Sequence, residues 1–224
     1  VFIAETFVSL QGEGVLAGVP SFFIRTSGCN LRCAWCDTPY TSWAPEGERV
    51  PVGELVARAA ACGLRHVVVT GGEPLLQREI GALTAALAKA RHHVTVETAG
   101  TLAPPFTCHL LSLSPKTANA DPVGGARERH RRLRRDLDPA RRLLAAHPEY
   151  QLKLVVRGAS DMPEVLDLVA SLRAERSRVL LMPEGRSAAE VAARAGEVAR
   201  QCVAHGFRYS PRLHLDLFGG GRGV

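Results

Sequence analysis

Gly28-Cys29-Asn30-Leu31-Arg32-Cys33-Ala34-Trp35-Cys36-Asp37-Thr38 puts three cysteines on one short loop with the spacing C-x3-C-x2-C. Three soft thiolates without a nearby fourth donor suit an iron–sulfur cluster that leaves one iron open to a cofactor. A closed four-iron site or a structural zinc site needs a fourth protein ligand, and neither a further Cys nor a His lies within ten residues of Cys36. Six cysteines in 224 residues, with no signal-like apolar opening segment, point to a reduced, cytoplasmic setting and away from a disulfide framework. Cys62, Cys108 and Cys202 stand singly among apolar neighbours and read as small buried hydrophobes.

Length and charge narrow the class further. A chain of 224 residues can bury one α/β domain, and no run of about 18 apolar residues offers a membrane span. The formal net charge is +6, but it is concentrated: segment 127–142 holds eight Arg against Glu128, Asp136 and Asp138. Such a run reads first as a solvated helix face or loop. No aromatics are interleaved with the arginines, which argues against a nucleic-acid surface.

Working outward from the cysteine loop, short runs dense in Val, Leu, Ile or Phe predict strands at 21–25, 66–70, 93–97, 109–113, 151–156 and 179–182. Amphipathic stretches between them predict helices at 52–62 and 80–90, and again around 143–146, 165–172 and 191–202. Six alternating units of this kind imply a parallel sheet with helices outside it, closing into a partial barrel or a strongly curved open sheet. Segments 2–10 and 207–218 read as additional first and last strands. No linker or internal repeat divides the chain, so 1–224 reads as a single domain with an Arg-rich insertion.

Sites on such sheets gather where strands end. The cysteine loop follows the strand ending at Arg25, and Thr70-Gly71-Gly72-Glu73-Pro74 follows the next. Paired glycines let a backbone approach a ligand closely, with carbonyls free to accept from an amine. Polar groups also mark Glu97-Thr98-Ala99-Gly100, Ser112-Leu113-Ser114-Pro115-Lys116, Gln151-Leu152-Lys153 and Met182-Pro183-Glu184-Gly185. Arg25, a charge ending an apolar run, is a fork for a substrate carboxylate or else one half of an ion pair, with Glu13 as the partner.

The cysteine spacing with Trp35 before its last Cys, followed one strand later by Gly-Gly-Glu-Pro, resembles the paired motifs of radical S-adenosylmethionine (SAM) enzymes. Within that superfamily the chain is similar to the 7-carboxy-7-deazaguanine synthase family. That similarity is carried by Ser9-Leu10-Gln11-Gly12-Glu13-Gly14, Cys36-Asp37-Thr38 and Ser114-Pro115-Lys116, and with Glu97-Thr98-x-Gly100 and Gln151-Leu152-Lys153 the matching pieces run in order from residue 9 to residue 153. The resemblance implies a partial TIM-like β/α barrel of about six parallel strands, a [4Fe–4S] cluster, SAM and Mg2+. The implied reaction, in queuosine and 7-deazapurine biosynthesis, turns 6-carboxy-5,6,7,8-tetrahydropterin into 7-carboxy-7-deazaguanine with loss of ammonia, the cofactor supplying the chemistry.

Carried over by position, the resemblance implies that Cys29, Cys33 and Cys36 hold the cluster and Thr38 the Mg2+. Trp35, Asp37, Gly72, Glu73, Gly100, Ser114, Pro115, Lys116, Met182, Pro183, Glu184 and Gly185 would line SAM. Leu10, Gln11, Gly12, Arg25, Thr70, His214 and Val224 would meet the pterin and its carboxylate. On its own Thr38 is a turn residue before Pro39, and the glycine-rich tail 219–224 a flexible end. A flavodoxin-like one-electron donor and a homodimer complete the expectation. Two other readings are a glycyl-radical-activating enzyme of the same superfamily and a zinc-dependent nucleic-acid-binding module.

Overall fold

The structure is a computed structural model that describes residues 1–223; Val224, one of the expected substrate contacts, lies outside them. Nine strands form one sheet: β1 (Phe2–Leu10), β2 (Pro20–Thr26), β3 (Glu48–Arg49), β4 (His66–Gly71), β5 (His93–Thr98), β6 (Leu110–Leu113), β7 (Tyr150–Val156), β8 (Val179–Pro183) and β9 (Arg208–Tyr209). Their order is β3-β1-β2-β4-β5-β6-β7-β8-β9. From β2 to β9 every neighbour is parallel, whereas β1 pairs antiparallel with both β2 and β3. The parallel strands are added in chain order without a reversal, so the right-handed crossovers lay their helices on one face of the sheet.

The period-2 alternation of the strands decides which face is which. Phe22 and Ile24, Val67 and Val69, Val94 and Val96, Leu111 and Leu113, Leu152 and Leu154, and Val179 and Leu181 all belong to one buried core. That core is completed by Leu55 and Ala59 of α2 (Val52–Ala61), Leu83 and Leu87 of α3 (Ile80–Lys89) and Leu143 of α5 (Asp138–Ala146). Val165 and Leu172 of α6 (Met162–Leu172) and Val198 of α7 (Ala188–His205) close it. The alternate residues Phe23, Arg25, Thr70, Glu97, Ser112, Lys153, Val155 and Met182 line a cavity on the opposite face. The result is the open, partial β/α barrel expected from the alternation, with six substantial parallel strands and the two-residue β9 at the edge.

The chain end departs from expectation. Segment 207–218 forms only the two-residue β9 and then a helix, α8 (Leu213–Phe218). Pro211 has no N–H to continue a ladder. The Leu213 N–H is taken instead by Gly12 O at 2.9 Å, and Gly219 ends the helix at φ 72°. Leu215 is buried while Leu217 and Phe218 stay exposed, so the apparent alternation of leucines was helical. The Arg-rich run forms the solvated helix face that was one of its two expected forms, as α4 (Arg127–Arg135) and the start of α5, but His130 and Arg134 of α4 are buried. Among the described residues no helix is long and apolar enough to cross a membrane.

Candidate active site

The cysteine loop leaves the C-terminal end of β2 and is followed by the one-turn α1 (Pro39–Ser42). Its floor is the glycine pair at the end of β4. The Gly72 N–H donates to Thr26 O (3.1 Å), the Glu73 N–H to Gly28 O (2.9 Å), and the Gly28 N–H to Thr41 O (2.8 Å). A Cβ on Gly72 would sit 2.3 Å from Gly28 O and 2.6 Å from Thr41 O. The glycines are therefore demanded first by the backbone of the cysteine loop, and only then free to face a ligand.

Cys29, Cys33 and Cys36 all open on one cavity of about 280 Å³. Leu31, Cys33 and Ala120 form a small apolar cluster of their own, backed by Trp35, Ala99 and Leu133. Burial there pushes the Cys29 thiol up to about 11 and the Cys33 thiol up to about 12, with the Lys116 ammonium working in the opposite direction. The Leu31 N–H donates to the Cys29 sulfur at 3.4 Å, and Ser42 Oγ lies 3.2 Å from the Cys36 sulfur. Among the described residues no three His, Cys, Asp or Glu side chains converge on a site for a single metal ion. An all-sulfur donor set in an apolar pocket, with polar groups directed at the sulfurs, fits a cluster that draws its charge from thiolates.

Two groups of polar side chains flank the thiols. On one side Lys116 Nζ donates to Ser114 Oγ (2.8 Å) and stands 5.5 Å from the Trp35 ring centre. Trp35 Nε1 donates to Asn119 Oδ1 (3.0 Å), and Asn119 is itself fixed by Val155 O and Asp161. On the other side Glu97 accepts from Gln11 Nε2 (3.1 Å) and Thr70 Oγ1 (2.9 Å). Arg25 lies 2.7 Å from Glu5, not Glu13, and 5.3 Å from the Phe7 ring centre.

Glu13 has another role. It pairs with Lys153 and, at 3.3 Å, with Arg212, whose guanidinium also reaches Asp37 and Gly185 O. This chain of charges ties the loop after β1, strand β7, the cysteine loop and the segment before α8 together. Burial opposes the charge on Glu13, but Lys153, Arg212 and His214 outweigh it and hold the carboxyl far below its ordinary range. Burial likewise works against Lys153, yet Glu13 and Glu97 raise it. His214, lowered by burial, packs against Gly12, where a Cβ would fall 2.2 Å from Nδ1.

Of the expected site residues, the cavity gathers Leu10, Gln11, Gly12, Arg25, Cys29, Cys33, Trp35, Cys36, Asp37, Thr38, Thr70, Gly72, Ser114, Lys116, Met182 and His214. Glu73, Gly100, Pro115, Pro183, Glu184 and Gly185 do not line it. Glu73 is fully buried and accepts from Thr98 Oγ1 (2.7 Å), Ala99 N (2.9 Å) and Leu75 N (3.1 Å), pinning the ends of β4 and β5 together. Glu184 pairs with Arg157 and Arg194, and Gly100 packs on Leu113 and Ala140. The cavity also contains Glu13, Tyr40, Glu97, Lys153, Arg186 and Arg212, which the motifs did not assign. Glu97 and Lys153 carried a signal, each being the one carboxylate or ammonium on a strand rich in Val or Leu; Arg212 carried none.

The chain matches the family profile of the radical SAM superfamily over residues 23–147. It is 42% identical to the 7-carboxy-7-deazaguanine synthase of Rhodopirellula baltica, over all of this chain and 89% of the relative. To the enzyme of that name from Halobacterium salinarum it is 45% identical, over 96% of this chain and 90% of the relative. The crystal structure of QueE from Escherichia coli superposes with a TM-score of 0.68 at 27% identity, covering 93% and 92% of the two chains. Fold, cysteine loop and full-length likeness agree that the chain belongs to the radical SAM superfamily and, within it, to the 7-carboxy-7-deazaguanine synthase family.

Proposed function

We propose that the protein converts 6-carboxy-5,6,7,8-tetrahydropterin to 7-carboxy-7-deazaguanine with release of ammonia, using a [4Fe–4S] cluster, SAM and Mg2+. The observation that carries this reading is one cavity onto which three thiols, with no fourth ligand beside them among the described residues, an amine-bearing wall and a carboxylate-and-arginine wall all open. Bound at Cys29, Cys33 and Cys36, the cluster with SAM would supply a 5′-deoxyadenosyl radical able to remove hydrogen beside the substrate carboxylate.

The chain's own residues do the rest. Lys116, Ser114, Trp35 and the Gly72 backbone form the wall suited to SAM, and Asp37 offers an anion that Arg212 keeps ionised against its partial desolvation. Arg25 presents a guanidinium to the pterin carboxylate. Glu97, already accepting from Gln11 and Thr70, offers oxygens to the N–H edge of the pterin ring, and Gln11 adds an amide beside it. Phe7, Phe23, Val155, Met182 and Leu215 supply apolar walls that keep water from a radical. Thr38, whose hydroxyl stands 3.3 Å from Thr41 Oγ1, is the residue that would hold Mg2+, an ion that prefers oxygen donors and would help neutralise the substrate carboxylate. The same reading takes a homodimer as the working form and a flavodoxin-like donor as the electron source.

The test is an anaerobic assay of iron-reconstituted protein with SAM, Mg2+ and the carboxytetrahydropterin, following product by mass and absorbance. A deazaguanine carboxylate should form, and Cys33→Ala should abolish SAM cleavage. Turnover by the metal-free protein, or cleavage retained in Cys33→Ala, would overturn the assignment.

A further inference from the structure

The hydroxyl of Ser42 faces a sulfur. Ser42 ends the one-turn α1 and is 3% exposed, and its Oγ lies 3.2 Å from Cys36 Sγ, its one hydrogen-bonding neighbour among the described residues. A helical serine ordinarily turns its hydroxyl back to the carbonyl four residues earlier. Here that carbonyl, Thr38 O, already accepts from the Thr41 N–H and from Thr41 Oγ1, both at 2.9 Å. The residues on either side hold the hydroxyl in place. Thr41 O accepts the Gly28 N–H at 2.8 Å, and Trp43 Nε1 donates to Cys33 O at 3.2 Å, so both anchors are on the cysteine loop itself. Cys29 accepts a backbone N–H, from Leu31 at 3.4 Å, and Thr38 Oγ1 stands 4.0 Å from Cys36 Sγ. Ser42 therefore makes the shortest side-chain hydrogen bond to any of the three thiols among the described residues.

We infer that Ser42 raises the reduction potential of the iron–sulfur cluster by donating a hydrogen bond to the Cys36 thiolate. The inference rests on the proposed function, which needs a cluster at Cys29, Cys33 and Cys36. A ligating sulfur has lost its proton, so of the pair only Ser42 has a hydrogen to give. Reduction adds one electron to the cluster without making or breaking a bond, and the sulfurs carry part of the added negative charge. A donor on a ligating sulfur stabilises the reduced state more than the oxidised one, and the potential rises. Burial of the hydroxyl strengthens the effect, since the bond lies in a low local dielectric. Ser42 is thus a positioning residue that acts through Cys36 and is not itself a ligand.

The test is a spectroelectrochemical titration of the anaerobically reconstituted protein without SAM, following visible absorbance and the electron paramagnetic resonance of the reduced cluster. Ser42→Ala should hold as much iron as the wild type. At a fixed applied potential its ratio of reduced to oxidised cluster should be about ten-fold lower, a shift of about 59 mV to more negative potential for a one-electron couple. Ser42→Thr keeps the hydroxyl and should restore the ratio. Ser27→Ala removes a buried hydroxyl two residues before Cys29 that has no partner, and should leave the ratio unchanged. In deuterated buffer the reduced wild type should show an exchangeable deuteron coupled to the cluster that Ser42→Ala lacks and Ser42→Thr retains. An unchanged potential in Ser42→Ala, or an equal shift in Ser27→Ala, overturns the inference. So does lost iron in Ser42→Ala, which would assign the hydroxyl to assembly of the site. A cluster tuned by Ser42 in a protein that turns over no carboxytetrahydropterin would instead count against the proposed function alone.

Discussion

At the scale of single residues, the site is built from charges that hold one another in place. Arg25 is half-buried beside Glu5 and stacked near Phe7, so its guanidinium is positioned before any ligand arrives. Arg25→Ala should weaken pterin binding by about 2–5 kcal/mol while leaving SAM affinity unchanged. Equilibrium titration of each ligand checks this, and an equal loss for both would show a general collapse of the cavity instead. Thr38→Ala should diminish the stimulation of turnover by Mg2+ more than the affinity for SAM; an unaltered metal response would remove Thr38 from the ion site. Glu13 gives a pH signature. Its folded pKa is depressed, so its stabilising effect is complete above the ordinary glutamate value of about 4.3 and is lost as pH falls through the folded pKa. The gap in melting temperature between the wild type and Glu13→Gln should therefore be widest above pH 5 and shrink toward pH 3, a trend read directly from thermal melts across that range.

At the scale of elements, the cysteine loop is held by three neighbours, each through backbone or buried contacts. The end of β4 closes under it through Gly71 and Gly72, α4 backs it through His130 and Leu133, and Arg186 reaches Ala34 O at 2.7 Å from beyond β8. Gly72→Ala would drive a methyl into two carbonyl oxygens, neither at the end of a flexible side chain. Reconstituted Gly72→Ala should hold less iron and less visible absorption than the wild type, while Gly125→Ala, whose added methyl meets open space, should match the wild type. Iron analysis after identical anaerobic loading decides between them. The segment before α8 plays the corresponding part for the substrate side, with the Leu213 N–H on Gly12 O and Arg212 joining Glu13 to Asp37.

At the scale of the whole molecule, alternation along every central strand divides the sheet between two tasks. One face carries the apolar side chains that bind the helices, and the other carries the polar groups of the cavity. Stability and chemistry are thus assigned to opposite faces, so the cavity can hold Glu97, Ser112 and Lys153 without polar groups entering the helix-side core. Ligand linkage should reveal this coupling. SAM at 100 times its Kd should stabilise the iron-loaded protein by about 2.7 kcal/mol. It should leave the melting temperature of the iron-free protein nearly unchanged, because the cluster supplies an essential part of the SAM site. A similar rise without iron, measured by scanning calorimetry, would show that SAM is held by the protein alone.

The sequence by itself determined the alternation of strands and helices, the cysteine loop at the end of β2 and the glycine pair one strand later, because these depend on local period and local spacing. It also singled out Arg25, Gln11 and Thr70, each lying in or beside a short motif. The roles of Glu73 and Arg212 were decided by tertiary structure. Glu73 sits within the glycine motif, yet its carboxylate turns inward to Thr98 and Ala99, a partner choice set by β4–β5 pairing. Arg212 is 199 residues from Glu13 and 175 from Asp37, and only the closing of the sheet brings the three together. The final helix was hidden for the same reason: Leu213, Leu215 and Leu217 alternate as a strand would, and the contact with Gly12 across the barrel mouth chose the helix. The arginines of α4 show the division most plainly, since their charge is written in the sequence and their place behind the thiols is a product of the fold.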